Sequence, residues 1–579
     1  MIAGFLLAMA LVSAGCDQGQ PDATLAVPET PPVQVSDSAS EMARLDELIQ
    51  RFVDSQTDSD QETGLQSVSS ESFLAAIEAN RQLLTSVRAV RAEGLTFEAQ
   101  IDRRLLIGLL ESDVFTVSDR RLWEINPSLY VPAGQIGRLL EPASAQSEAQ
   151  RVTAMLAIFA DLPGHIDAAR KNLKNPPQRF TQSAIFKTAG TLKSLTNDAP
   201  GLSEDAVYRE GLDQAVSSLQ GFLSYLETDL LPQSTGSWAV GKDHYDYILK
   251  HRWFFDLDAD DILARGQSAF EETEALAQAV AERIEPGTHW AEVYETLKDE
   301  HPQANGIKAA YQEAIDQAQV FVREHQIVTL PEGERVVTVD TPPAMRRSSP
   351  FGTFQSVDRF GEDLEGKLVL TPIEDWMTAD QQAQRLRSHH DAWIPVIAVH
   401  EAYPGHHADA LITRQNPRLL RKVVQEPIFS EGWGLFTEEM MFEVGFLKGD
   451  DVRLTQLRNR LWRAARVILD VSLHTGRMSF DEAVDFLVER VRFERYAAEL
   501  EVGMYIERPT YVLGYLIGMQ EIMDIREDWI ARHGEPDPPS EFYDSLLRLG
   551  SIPPALVRES LLATDGPQSV ITNKPSTPN

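Results

Sequence analysis

Residues 394–407 read Ile-Pro-Val-Ile-Ala-Val-His-Glu-Ala-Tyr-Pro-Gly-His-His. An apolar helical run delivers His400 and Glu401 side by side, the pair that opens the zinc-binding motif His-Glu-x-x-His. That motif works because two histidines one turn apart can point at one ion while the Glu between them reaches its water. Here the position four residues on is Pro404, which cannot ligate, and the histidines arrive six and seven residues after His400. On a regular helix six residues turn by about 600°, which carries His406 well off the face of His400. Seven turn by about 700°, near the same face, but rise by about 10.5 Å, too far for one ion with bonds of about 2.0–2.1 Å. Pro404 removes a helical hydrogen bond and Gly405 admits unusual dihedrals, so the expectation is a helix that bulges and loops out two residues. His406 would then take the second ligand position, with His407 as the fallback or as a supporting neighbour.

A third ligand is needed, and Cys16 is the only cysteine, so it must come from His, Asp or Glu. Residues 430–439 read Ser-Glu-Gly-Trp-Gly-Leu-Phe-Thr-Glu-Glu and follow a break at Pro427. Glu431 lies 31 residues after His400, enough for a second helix to pack antiparallel to the first. Glu431 and Glu438 are seven apart and share one helix face. One can bind the metal while the other orients a histidine.

Outward from these motifs the chain is mostly helical. From Glu41 to His325 apolar residues recur at helical spacing, as in Leu45, Leu48, Ile49 and Phe52. A long helix is expected from Ser203, as N-cap, to Leu231, stopped by Pro232. Ile327 to Pro372 breaks the pattern. Val336, Val337 and Val339, then Lys367 to Thr371, read as a short hairpin or two edge strands, with Pro342, Pro343 and Pro350 in a loop between them. After Thr378 the chain is helical again. The fold class is therefore mainly α, with a small β-sheet beside the helices that carry these motifs. The expected divisions are a signal peptide at 1–16, a flexible tether at 17–40 and a helical region at 41–326. A catalytic region at 327–565 and a disordered tail at 566–579 complete the chain.

Lys and Arg number 53 against 88 Asp and Glu, a net charge of −35, which argues against nucleic acid as a partner. The same charge repels anionic lipid, so membrane association requires an anchor. Residues 2–12 form an apolar run of signal-peptide length, and Ser13-Ala-Gly-Cys16 resembles the lipobox of bacterial lipoproteins. That resemblance implies acylation of Cys16 and a lipid anchor at the periplasmic face of the envelope. Asp17 implies retention at the inner membrane.

His-Glu-Ala-Tyr-Pro-Gly-His-His followed by Ser-Glu-Gly-Trp-Gly-Leu-Phe-Thr-Glu-Glu is similar to the bacterial domain-of-unknown-function 885 family, whose cores resemble helical zinc carboxypeptidases of the thermostable type. In those enzymes a Glu on a later helix completes the metal site, and the resemblance assigns that role to Glu431. Further likeness lies in residues 241–245, 470–476 and 505–518, where Thr510-Tyr511 departs from the family's usual Gly-Gln. The implied function is a zinc-dependent peptidase with His400, His406 and Glu431 as ligands and Glu401 as general base. His474 and Tyr515 would serve as donors to the oxyanion, and Arg346, Arg347 or Arg508 would pair with a substrate carboxylate. His389 and His390 read as structural, and Asp470 with His474 could equally be a solvated helix pair. An extended substrate could add to the strand at Val336–Val339. Two other functions compete: a zinc amidohydrolase acting on a non-protein amide or cell-wall peptide, and a zinc-containing lipoprotein scaffold without catalysis.

Overall fold

The computed structural model describes residues 35–61, 64–140, 146–341, 352–374 and 377–563. Cys16, the tether through residue 34, Arg346, Arg347 and the tail at 566–579 lie outside them. The chain divides into two compact units at Gly236 and Ser237.

The first unit is helical throughout its described length, with helices at Ser70–Arg88, Phe97–Arg120, Glu148–Asn172, Gln178–Asn197 and Ala206–Tyr225 among them. Side chains at helical spacing, such as Ile158, Leu162, Ile166 and Ala169, face Leu212, Ala215, Leu219 and Phe222 in one apolar core. Polar caps set the starts: Ser69 and Thr96 each accept an N–H from the first turn, and Ser147 forms a capping box with Gln150. The helix expected from Ser203 starts at Ala206, because Asp205 accepts the N–H groups of Val207 and Tyr208. Ser203 accepts the Asp205 N–H one step earlier. The helical path then widens into a π turn at Leu226–Leu230 before Pro232.

The second unit holds the sheet and the motif helices. The elements that build the site and its surroundings include α1 (Ala259–Ile284), α2 (Ile307–Glu324), β1 (Arg335–Asp340), β2 (Gly352–Gln355), β3 (Glu365–Leu370), α3 (Ile394–Glu401), α4 (His406–Thr413), α5 (Pro427–Glu443), α6 (Asp450–His474), α7 (Arg495–Glu507) and α8 (Leu513–His533). The unit boundary lies well upstream of the division expected at residue 326, because α1 packs along the length of α6 and so belongs with the motif helices. α6 is nearly all buried and also meets α8, which packs closely on α5. Glycines make that last approach possible: a Cβ on Gly432 or Gly518 would collide with the backbone of the facing helix.

The sheet has the order β1-β3-β2. The two expected strands form, but they pair in parallel and not as a hairpin. The connection between them contains β2, which runs antiparallel to β3 and was not expected from the sequence. A parallel pair needs such a return connection, whereas a hairpin closes through a tight turn. The outer edge of β1 is engaged by α2, where Gln312 donates to the Val336 carbonyl at 2.9 Å and accepts the Thr338 N–H at 2.8 Å. Addition of a substrate strand at Val336–Val339 is therefore blocked by a side chain of the protein itself.

Candidate metal centre

α3 buries Val396, Ala398, Val399 and His400 and ends at Glu401. The helix does not bulge there. It stops, runs through Ala402, Tyr403, Pro404 and Gly405, and a new helix begins at His406. The close return of the chain explains Gly405, since a Cβ at this residue would collide with the His400 carbonyl. Trp433 of α5 ties the turn down by donating its indole N–H to the Pro404 carbonyl at 2.9 Å. Proline and glycine thus bring the histidines together by ending one helix and starting another, not by looping two residues out of a continuous one.

His400 and His406 come to lie with ring centroids 4.9 Å apart and planes nearly perpendicular. Glu431, in the second turn of α5, places Oε2 3.5 Å from Nε2 of His406 and 3.9 Å from Nε2 of His400. All three donor atoms lie within 4.8 Å of one another. Tetrahedral zinc with bonds of about 2.0–2.1 Å holds its ligands about 3.4 Å apart, close to the 3.5 and 3.9 Å from Glu431 to the two histidines, so two nitrogens and one carboxylate oxygen can close on that ion with small side-chain shifts. Gly434 makes room for them, because a Cβ there would lie 2.8 Å from the His400 ring and 3.1 Å from that of His406. Glu438, seven residues or about two turns further along α5 and fully buried, accepts from Nδ1 of His400 at 2.8 Å. This fixes the tautomer that points Nε2 toward Glu431, as outer carboxylates do for metal-bound histidines.

The electrostatics favour a cation at this point. Burial works against charge on His400, but the carboxylates of Glu431 and Glu438 outweigh that and raise its pKa to about 10. His406 is raised as well, where Glu431 again overcomes burial. Burial alone would raise Glu431, yet the two histidines hold its carboxyl far below the usual carboxylate range. Glu401 adds its negative charge to both histidines, is half-buried, and makes no hydrogen bond or ion pair among the described residues.

The neighbouring histidine has a different environment. His407 is fully buried, and its Nε2 lies 3.2 Å from Oε2 of Glu334. Its ring packs against Tyr403 and Phe354. The structure therefore brings His406, and not His407, into the donor cluster.

Tyr515 of α8 is half-buried beside the cluster. Burial first, and the charge of Glu431 second, hold its phenol well above the ordinary value, so it remains a proton donor. Arg466 and Arg463 stack on its ring at 4.5 and 5.6 Å. Arg508 lies over Tyr511 at 5.5 Å and forms no ion pair among the described residues. His474 has partners outside the donor cluster. Its Nε2 lies 3.0 Å from the Tyr505 carbonyl oxygen, and its ring packs against Tyr245 in a fully buried site. Asp470, one turn earlier, accepts the Tyr245 hydroxyl at 2.6 Å and the Thr510 N–H at 2.9 Å. The two residues anchor the turn that carries Arg508 and Tyr511. Both are fully buried, so they are not a solvated pair. His389 and His390 are buried, and burial depresses their pKa values to about 4 and about 3, consistent with a structural role.

Several residues at the site carry no sequence signal of their own. Glu334 sits in Pro-Glu-Gly-Glu-Arg, which reads as a solvated turn. Arg463 and Arg466 were visible only as charges on a helix, although their spacing of three places them on one face.

The family model described as "Bacterial protein of unknown function (DUF885)" matches residues 54–561. Comparison with curated proteins gives no significant match. Among the solved structures that share the fold are two described as a "putative lipoprotein". One, of unknown function, is from Shewanella oneidensis, with a TM-score of 0.73 and 19% identity over 90% of this chain and 98% of its own. The other is from Colwellia psychrerythraea, with a TM-score of 0.70 and 16% identity over 91% of this chain and 97% of its own.

Proposed function

We propose that this chain, which belongs to the bacterial DUF885 family, is a zinc-dependent peptidase. The observation that carries the reading is the meeting of His400, His406 and Glu431 donors beside Glu401, a carboxylate with no structural partner among the described residues. A site that only held the fold together would gain nothing from a base in that position.

His400, His406 and Glu431 would hold the ion, and zinc, when bound, supplies the Lewis acidity that makes water a usable nucleophile near neutral pH. Glu401 takes the proton of the attacking water and returns it to the departing amine. Tyr515, kept protonated, donates to the oxygen on which negative charge develops. Glu438 holds the His400 ring in register throughout. Arg508, half-buried and without an ion-pair partner among the described residues, is positioned to accept a substrate carboxylate. Cys16 would anchor the chain in the inner membrane facing the periplasm. The description of both structural relatives as lipoproteins supports this anchoring.

The test is digestion of a peptide library by the purified chain loaded with zinc. Cleavage that disappears on chelation and returns with zinc supports the proposal, and an intact library from a fully loaded protein overturns it.

A further inference from the structure

On the far side of the Pro404-Gly405 turn lies a second cluster of buried charge that the proposed chemistry does not use. Its centre is Glu334, the residue before β1, whose side chain has 0% exposure. Its two oxygens face different partners. Oε1 accepts the Gln319 amide at 2.8 Å and the Arg323 guanidinium at 2.5 Å, both from α2. Oε2 accepts the Tyr403 hydroxyl and lies 3.2 Å from Nε2 of His407. Tyr403 and His407 are the residues that bracket Pro404, Gly405 and His406. Both ends of the excursion between α3 and α4 are thus fastened to one oxygen atom, and the other oxygen fastens that atom to α2.

The sheet closes the remaining freedom. A Cβ on Gly366 of β3 would stand 2.6 Å from Nδ1 of His407, and Phe354 of β2 meets the same ring edge-on. A buried carboxylate is unfavourable unless its lone pairs are engaged, and here partners on both sides engage them. An arrangement that holds a short turn so firmly beside a donor cluster orders a ligand before the ion arrives.

We propose that Glu334 is a positioning residue for the metal centre: it fixes the 403–407 turn so that His406, and not His407, faces His400 and Glu431. This rests on the zinc reading above. Without Glu334 the turn would have to be ordered by the ion itself, and affinity would fall.

The experiment measures the zinc dissociation constant by chelator competition, and the thermal midpoint without zinc. The proteins are the full chain and the variants Glu334→Gln, Tyr403→Phe, their double variant, and Val557→Ala as a core control away from these residues. Glu334→Gln should bind zinc about 10–100-fold more weakly, and Tyr403→Phe by less. The double variant should be no weaker than Glu334→Gln alone, since both act through the same oxygen. Val557→Ala should lower the midpoint with unchanged zinc affinity, and raising zinc should restore the activity of Glu334→Gln. If Glu334→Gln does not fold, Tyr403→Phe decides alone. Wild-type affinity in Glu334→Gln, or in Tyr403→Phe where it decides, overturns the inference. An affinity loss that merely follows the midpoint, Val557→Ala included, does the same. A wild-type chain that binds no zinc overturns the zinc reading as well, so the two failures are distinguishable.

Discussion

Up to Gly236 the described interior is mostly apolar, with Asp102 and Asn172 among a small number of buried polar side chains. From Ser237 onward the interior also holds Glu334, His400, His407, Glu438, Arg463, Asp470 and His474. Apolar packing of the first kind stabilises by removing surface from water. Buried charge of the second kind is weak evidence for stability, because desolvation opposes the attraction between partners. The second unit gathers such groups into separate sets, at the donor cluster, at Glu334 with His407, and at Asp470 with His474, and the donor cluster is the one whose perturbed titrations mark a functional site. The difference teaches where to look: one unit is explained by its packing, the other only by a site.

That contrast is broken most sharply at the adjacent histidines. His406→Ala should abolish zinc binding, whereas His407→Ala should leave zinc bound with an affinity lower by about 10–100-fold. Metal analysis and chelator competition check both. Zinc retained by His406→Ala and lost by His407→Ala would reverse the roles read from the geometry.

A substitution in the apolar unit sharpens it from the other side. Leu219 is fully buried in the core of the first unit. Leu219→Ala should lower stability by about 2–5 kcal/mol, measured by denaturant unfolding, and leave the zinc dissociation constant unchanged. A coupled loss of zinc affinity would erase the distinction between the units.

A third effect is smaller and depends on pH. Burial holds the Asp470 carboxyl up at about 7, against the pull of its hydrogen bonds from Tyr245 and Thr510. A raised carboxyl pKa means that the folded state keeps a proton the unfolded chain has released. The stabilisation is complete below the unfolded value, about 3.9, and is lost as pH rises through about 7. Within that window this group contributes a slope of at most about 1.4 kcal/mol per pH unit. Asp470→Asn should remove that slope in unfolding curves collected from pH 4 to 8, and a variant as pH-sensitive as wild type would contradict it.

Much of the site was legible because its chemistry is local in sequence. His400-Glu401, the Pro404-Gly405 interruption and the seven-residue step from Glu431 to Glu438 each follow from helix geometry applied to a short stretch. The division of labour within that step, one carboxylate among the donors and one behind His400, follows too. What was not legible depends on distant partners. Nothing near Glu334 says that Tyr403 and His407 will meet it, and nothing near His474 says that the Tyr505 carbonyl will occupy its ring nitrogen. The helix break was misread as a bulge because proline and glycine permit both, and contacts from Trp433 and Glu334 decide between them. The four residues of β2 lacked an alternating pattern, and parallel pairing of β1 with β3 is invisible without them. In the first unit, where the apolar period carries the fold, the differences are small: a cap two residues beyond its expected place, a π turn before Pro232, and a first helix, Val35–Gln61, that begins inside the expected tether.

The most direct measurement is the turnover of zinc-loaded Glu401→Gln on a peptide that the wild-type chain cleaves. Gln keeps the shape of Glu but cannot accept the proton of the attacking water. The variant should retain about one zinc per chain and the wild-type thermal midpoint, while its turnover falls by a factor of roughly 10² or more. Turnover equal to wild type in that variant would contradict the assignment of Glu401 as the base and, with it, the peptidase chemistry proposed for this site.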